Sequence, residues 1–190
     1  MTKQQETRKV LFGCIAFVGI CGLISSIIYH KEEDNCCVDV VLEPIEKEKK
    51  FIKLYNIRKD IKLSDKDFEC LARNIYWEAR QEPLIGQLGV AQITYNRVKD
   101  WRWKNTICEV VYEKKQFSWT TLPHIKNAHP KNKKQWERAK HSAFLFTKGV
   151  RVENFQKADH YYASYIPKPL WAYKMKKISK IGHHIFYASR

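Results

Sequence analysis

Glu78 is the residue in this chain whose type and placement best suit proton transfer. It lies in the run Leu71 to Asp100, LARNIYWEARQEPLIGQLGVAQITYNRVKD. On a helical wheel at about 100° per residue, Phe68, Leu71, Ala72, Ile75, Tyr76 and Ala79 share one apolar face. Glu78 falls beside Leu71 and Asn74, at the edge of that face rather than opposite it. A carboxylate so placed is half desolvated, which disfavours its charged form and raises its pKa toward that of a proton donor at neutral pH. The plainer alternative is a rim glutamate paired with Arg73 or Arg80 on the surface. Glu82 is four residues on, but Pro83 breaks the helix, and Glu82 reads as a charge at the N-terminus of the next one.

The elements that must hold Glu78 follow from local signals. Ser64 is an N-cap, with Asp65 and Asp67 in the first turn where the helix dipole favours negative charge. Pro83 suits the first position of a second helix, whose apolar stripe is Leu84, Leu88, Ala91, Tyr95 and Val98. Trp136 to Lys148 reads as a third helix closed by Gly149. Asp159–Ala163 and Ile185–Tyr187, rich in aromatic and β-branched residues, read as short strands. The expected class is α+β, mostly helical, with the domain over residues 64–190.

Ahead of it, Val10 to Tyr29 holds twenty residues without a charge, enough to span roughly 30 Å as a helix. Lys3, Arg8 and Lys9 precede the span, and Lys31, Glu32, Glu33 and Asp34 follow it. The positive-inside rule then puts residues 1–9 in the cytoplasm, 10–29 across the inner membrane as a signal anchor, and the domain outside. A cleaved signal peptide is the competitor, but its apolar region is normally shorter. Three Gly, two Ser and one Ala soften the span, a composition similar to the releasable anchors of some phage endolysins. Residues 30–63, charged and mixed, are expected to be a tether.

Net charge is +15, and from Asp65 onward 24 Lys and Arg stand against 11 Asp and Glu, so the excess belongs to the domain. Such charge favours a polyanionic partner. No zinc-finger, RNP or helix-turn-helix pattern accompanies it, so nucleic acid is not expected. Cys36, Cys37, Cys70 and Cys108 would face an exterior where disulfides persist and allow three complete pairings; adjacent Cys36 and Cys37 are disfavoured as a pair.

Three strings in order carry a resemblance: WEARQEPLIGQLGVAQITYNRV, then NTICEVVYEKKQFSW (Asn105 to Trp119), then IGHHIFY (Ile181 to Tyr187). Together they resemble the SleB-type cell wall hydrolases, which include spore cortex-lytic enzymes and phage peptidoglycan-cleaving domains. The likeness runs from about Phe68 to the C-terminus. It implies a lysozyme-like, two-lobed domain with a small β lobe that cuts the glycan strand of peptidoglycan, with Glu78 matching the catalytic glutamate. Gln81 stands where the family's EARGE string has glycine, and Tyr162 where its THYHA string has a second histidine.

Hydrolysis of a glycosidic bond ordinarily takes two carboxylates. A lytic transglycosylase needs one, acting as acid toward the leaving oxygen and then as base toward the sugar's own 6-hydroxyl. Glu78 fits that single role at the bond between N-acetylmuramic acid and N-acetylglucosamine, without cofactor or metal. Glu82 and Glu109 are the first places to look for a second carboxylate. Gln116, Phe117, Ser118 and Trp119 offer an amide, a hydroxyl and two rings for a sugar cleft, with His160, Tyr162 and Trp171 as further wall; Trp101, Trp103 and Trp136 are expected to be structural.

Two other classes remain open. A zinc-dependent N-acetylmuramoyl-L-alanine amidase would draw ligands from His124, His129, His160, His183 and His184, with Glu78 as base. No HExxH pair supports it, and adjacent His183 and His184 are expected on opposite sides of a strand. A non-catalytic, membrane-tethered basic module that binds wall is the third.

Overall fold

In the computed structural model, which describes residues 52–189, Ser64 caps α1 (Asp65–Ala79) by accepting a hydrogen bond from the Asp67 N–H. Leu71, Ala72, Ile75, Tyr76 and Ala79 are buried along the expected face. A tight turn at Arg80–Pro83 leads into α2 (Leu84–Val98). Pro83 is extended and serves as the N-cap of α2, one position earlier than the sequence suggested.

Helix α2 is the axis of the domain. Its burial extends well beyond the expected stripe to Gln87, Gln92, Thr94 and Arg97. Such polar groups are tolerated in a core when they find partners. The Ser142 hydroxyl donates to Gln87 Oε1 at 2.7 Å, the Val152 N–H to Gln92 Oε1 at 2.9 Å, and Asn74 Nδ2 to Thr94 Oγ1 at 3.0 Å. These three bonds tie α2 to its neighbours: α5 (Lys133–Thr147), β2 (Val150–Val152) and α1. Helix α5 begins three residues before Trp136, because Asn132 caps it, and Gly149 ends it at φ 88°, a conformation suited to glycine.

Between α2 and α5 lie α3 (Ile107–Tyr112), a 3-10 helix at Ser118–Thr121 and the short α4 (Pro123–Lys126). A disulfide joins Cys70 of α1 to Cys108 of α3. Of the three pairings that the sequence left open, this bond selects the one that joins Cys70 to Cys108; Cys36 and Cys37 lie outside the described residues, as does the span at 10–29. Among the described residues no helix is long and apolar enough to cross a membrane.

Two small antiparallel sheets complete the fold. β1 (Leu54–Asn56) pairs with β2, so these residues, assigned from sequence to the tether, belong to the folded unit; Ile52 and Leu54 are buried in its core. The second sheet has the order β3-β5-β4, from β3 (His160–Ala163), β4 (Lys176–Ile181) and β5 (His184–Ala188). Its β4–β5 hairpin turns on Gly182 and His183, with Gly182 at φ 53°, the glycine requirement of a two-residue primed turn. His183 is therefore a turn residue and His184 opens β5, rather than the two alternating along one strand.

Candidate active site

Glu78 sits one residue before the end of α1, and the sheet packs over that end. Register decides which side chains reach it. Cross-strand partners share a face, so Tyr161 and Phe186 project to one side of the sheet, as do Ala163 and His184. The Tyr161 hydroxyl donates to Glu78 Oε2 at 3.0 Å. His160 and Tyr162 leave from the opposite face, where Tyr162 stacks on Tyr187 at 5.8 Å and Trp171 lies 5.2 Å from the His160 ring. They form a real aromatic cluster with Trp171, but on the other face from the residue that touches Glu78. Alternation along DHYYA was the available signal for Tyr161.

The surface pairing of Glu78 does not occur. Arg73 donates instead to the Lys126 and Ala128 carbonyls, and the Arg80 guanidinium lies over the Tyr76 and Trp77 rings. Burial pushes the Glu78 carboxyl up from its ordinary range. The Tyr161 hydrogen bond, the Arg97 charge and the backbone at Ser118 pull in the other direction without cancelling that rise. The Ser118 backbone lies close enough to favour the charged carboxylate, yet Glu78 Oε1 has no hydrogen-bond partner among the described residues. One oxygen is held and the other is free.

Arg97, a residue not expected at the site from the sequence, is the cation behind this arrangement. A charged residue on a buried helix was the clue. Its Nε donates to the Asp159 carbonyl at 2.8 Å, and its guanidinium lies 4.4 Å from the Trp103 ring centre and 5.2 Å from that of Phe117. Burial lowers its pKa, while Tyr161, Asp159, Glu78 and Glu113 act to raise it.

A cavity of about 400 Å³ opens beside Glu78, lined by Trp77, Arg80, Gln81, Glu82, Tyr165, His183 and His184. That volume lies within the range of small-ligand sites. Trp77 Nε1 and His184 Nδ1 join Glu78 Oε1 as buried polar atoms without a partner among the described residues. Glu82 is engaged: its two oxygens meet the His183 N–H at 3.0 Å and the His183 ring at 3.1 Å. It thus braces the hairpin rather than charging the start of α2. A Cβ on Gly182 would collide with Glu82 Oε2, so this contact requires the glycine.

The QFSW string divides. Ser118 is exposed and borders Glu78, and Gln116 is half-buried in the same loop. Phe117 and Trp119 are only 2% and 4% exposed and belong to the core, not the cleft wall. Trp119 Nε1 donates to Asn74 Oδ1 at 3.0 Å, and its ring stacks at 6.2 Å on Trp77. Its large apolar surface outweighs the polar tip in deciding its place. Trp103 and Trp136 pack as expected, but Trp101 is 91% exposed and is no structural residue. Glu109 is spent on Thr106 at the start of α3.

The histidines do not converge. His124 and His129 are exposed around α4, His160 binds Asp159, and His183 binds Glu82. Among the described residues no group of three or more His, Cys, Asp or Glu is placed to hold a metal ion.

The model of the Cell Wall Hydrolase family matches residues 81–187, more than half of the chain and beginning just after Glu78. The chain belongs to the cell wall hydrolases. The spore cortex-lytic enzyme of Bacillus cereus is 24% identical over 131 residues, covering 65% of this chain and 44% of that protein. The chain thus spans less than half the length of this curated relative. The crystal structure of the catalytic domain of the Bacillus cereus SleB protein superposes with a TM-score of 0.57 at 27% identity, covering 70% of this chain and 98% of that one. The catalytic domain of the germination-specific lytic transglycosylase SleB from Bacillus anthracis gives 0.56 at 28% identity, covering 66% and 96%. The fold is therefore the mixed helix-and-sheet fold of the SleB catalytic domain.

Proposed function

We propose that this family member degrades peptidoglycan by cutting the bond between N-acetylmuramic acid and N-acetylglucosamine as a lytic transglycosylase, with Glu78 as acid and then base. The observation that carries the reading is the half-satisfied Glu78 carboxyl: buried, raised in pKa, and free at Oε1 beside a cavity of about 400 Å³. Raised pKa keeps the carboxyl protonated for donation to the leaving oxygen. Tyr161 fixes Oε2, so the proton is best carried on Oε1. After bond cleavage the carboxylate is stabilised by Tyr161 and Arg97, and takes the proton of the muramic 6-hydroxyl as that oxygen closes on the anomeric carbon. No water and no second carboxylate enters the scheme, in keeping with Glu82 and Glu109 being engaged elsewhere.

The product tests the reading. Digested walls should yield muramic ends with an internal 1,6-anhydro ring by mass spectrometry, with or without EDTA. Muramic ends heavier by one water would replace it with two-carboxylate hydrolysis, and Glu113, near Arg97 with Oε2 buried and unpartnered among the described residues, would then be the carboxylate to test. Freed stem peptides on intact glycan would replace it with the amidase. Glu78→Gln keeps the shape and cannot transfer a proton, so lysis should fall by at least about a hundredfold. A folded variant within tenfold of wild type would remove Glu78 from the chemistry.

The domain is further proposed to act outside the cytoplasm, with residues 1–9 inside and 10–29 as its membrane anchor.

A further inference from the structure

A second cavity, of about 410 Å³, lies at the opposite end of α2 from the Arg80–Pro83 turn. Asn96, Lys99, Asp100, Trp101, Arg102, Gln156, Lys157 and Asp159 line it. Its walls are fixed. Asn96 Nδ2 donates at 2.8 Å to both the Phe155 and the Ala158 carbonyls, which clamps the 155–158 segment onto α2. The Arg102 guanidinium is held by Asp100 and Asp159.

The charge balance of this cavity is one-sided. Both its carboxylates are occupied, Asp100 by Arg102 and Asp159 by Arg102, His160 and Ser189. Lys99 and Lys157 are exposed and, among the described residues, have no carboxylate within salt-bridge distance. The Lys99 ammonium lies 4.9 Å from the Tyr95 ring centre, and the charge that acts on it is another cation, Arg151. Trp101 lines the same cavity, with 91% of its surface open to solvent. A flat exposed ring with adjacent cations and an amide suits the face and the anionic group of a sugar.

We propose that this cavity is an anionic-saccharide site, separate from the Glu78 cavity, that holds the domain on the wall polymer while Glu78 works. Trp101 supplies the platform for a sugar ring, Lys99 and Lys157 the charge for a carboxylate or phosphate, and Gln156 an amide at the rim. The idea rests on the proposed wall substrate, yet its test needs no turnover.

The test is co-sedimentation of the full chain, in a Glu78→Gln background that leaves the wall intact, with purified sacculi. Trp101→Ala and Lys157→Glu should each weaken binding about tenfold or more, while Lys157→Arg retains it. Binding should weaken steeply with added salt, as expected for a polyanion that releases counterions. Sacculi stripped of phosphate polymers by acid extraction separate the sources of charge: binding lost with stripping assigns the phosphates, binding kept assigns the stem-peptide carboxylates. Wild-type affinity in both Trp101→Ala and Lys157→Glu overturns the proposal, as does equal binding to neutral chitin. No lysis by the wild-type chain, with sedimentation intact, would count against the glycosidase reading alone.

Discussion

At the level of single residues, the proposed reaction scheme reduces to what sets the proton affinity of Glu78. Burial raises it, and Tyr161 and Arg97 limit the rise. Removing the Tyr161 hydroxyl takes away a donor to the carboxylate, so Tyr161→Phe should raise the Glu78 pKa further. Because the acid form starts the reaction, activity falls on the alkaline side as Glu78 ionises, and that limb should move to higher pH in the variant. The rate at the wild-type optimum should drop about tenfold, the worth of one hydrogen bond to a charged group. A pH–rate profile decides it; an unmoved limb would mean that another group controls it. Stability carries the same sign. Below the ordinary carboxylate range Glu78 is protonated in both folded and unfolded chains and contributes no difference. As pH rises, the unfolded chain ionises freely while the folded one resists, so stability is lost. Glu78→Gln should therefore melt above wild type at neutral pH, with the gap closing below about pH 4. A variant that melts lower at neutral pH would contradict the buried, raised carboxyl.

At the level of elements, the helix that carries Glu78 was legible because its signals are local: a Ser cap, acidic residues in the first turn and a 3.6-residue apolar period. What was not legible is long-range. Strand β1 lies in a charged stretch and exists only because β2, nearly a hundred positions later, offers it an edge. Tyr161, Arg97 and Asn74 acquire their roles from register and packing, and the burial of Trp119 depends on Asn74 receiving its N–H. The Cys70–Cys108 link shows the same limit: sequence counts cysteines but does not measure the 5.2 Å between their α-carbons. That bond joins α1 to α3 and closes a sequence separation of 38 residues. In the loop-entropy account such a link contributes roughly 2–4 kcal/mol. Replacing both cysteines by serine should lower the denaturation midpoint accordingly, and reducing agent should bring wild type to the same value. A reductant-insensitive wild type would mean that the bond does not form.

At the level of the whole molecule, the chain joins a folded basic domain to an uncharged segment of twenty residues, Val10 to Tyr29. The proposed place of the domain outside the cytoplasm is in keeping with the Cys70–Cys108 disulfide, since disulfides persist in oxidising spaces. A segment of that length can carry the domain there and stay in the bilayer, and Lys3, Arg8 and Lys9 favour retention of the preceding residues inside. The domain's excess of Lys and Arg lies well beyond the fifteen to twenty residues next to the span over which orientation is set, so it does not oppose export. Alkaline phosphatase fused after Arg190 should therefore be active, and the intact chain should sediment with membranes and resist extraction by salt or carbonate. Changing Lys3, Arg8 and Lys9 to glutamate should reduce the exported fraction without altering the isolated domain's melting. Peripheral binding through basic charge would instead be released by salt, and a cleaved signal peptide would leave a shortened, soluble chain; either result would remove the anchor while leaving the chemistry of Glu78 untouched.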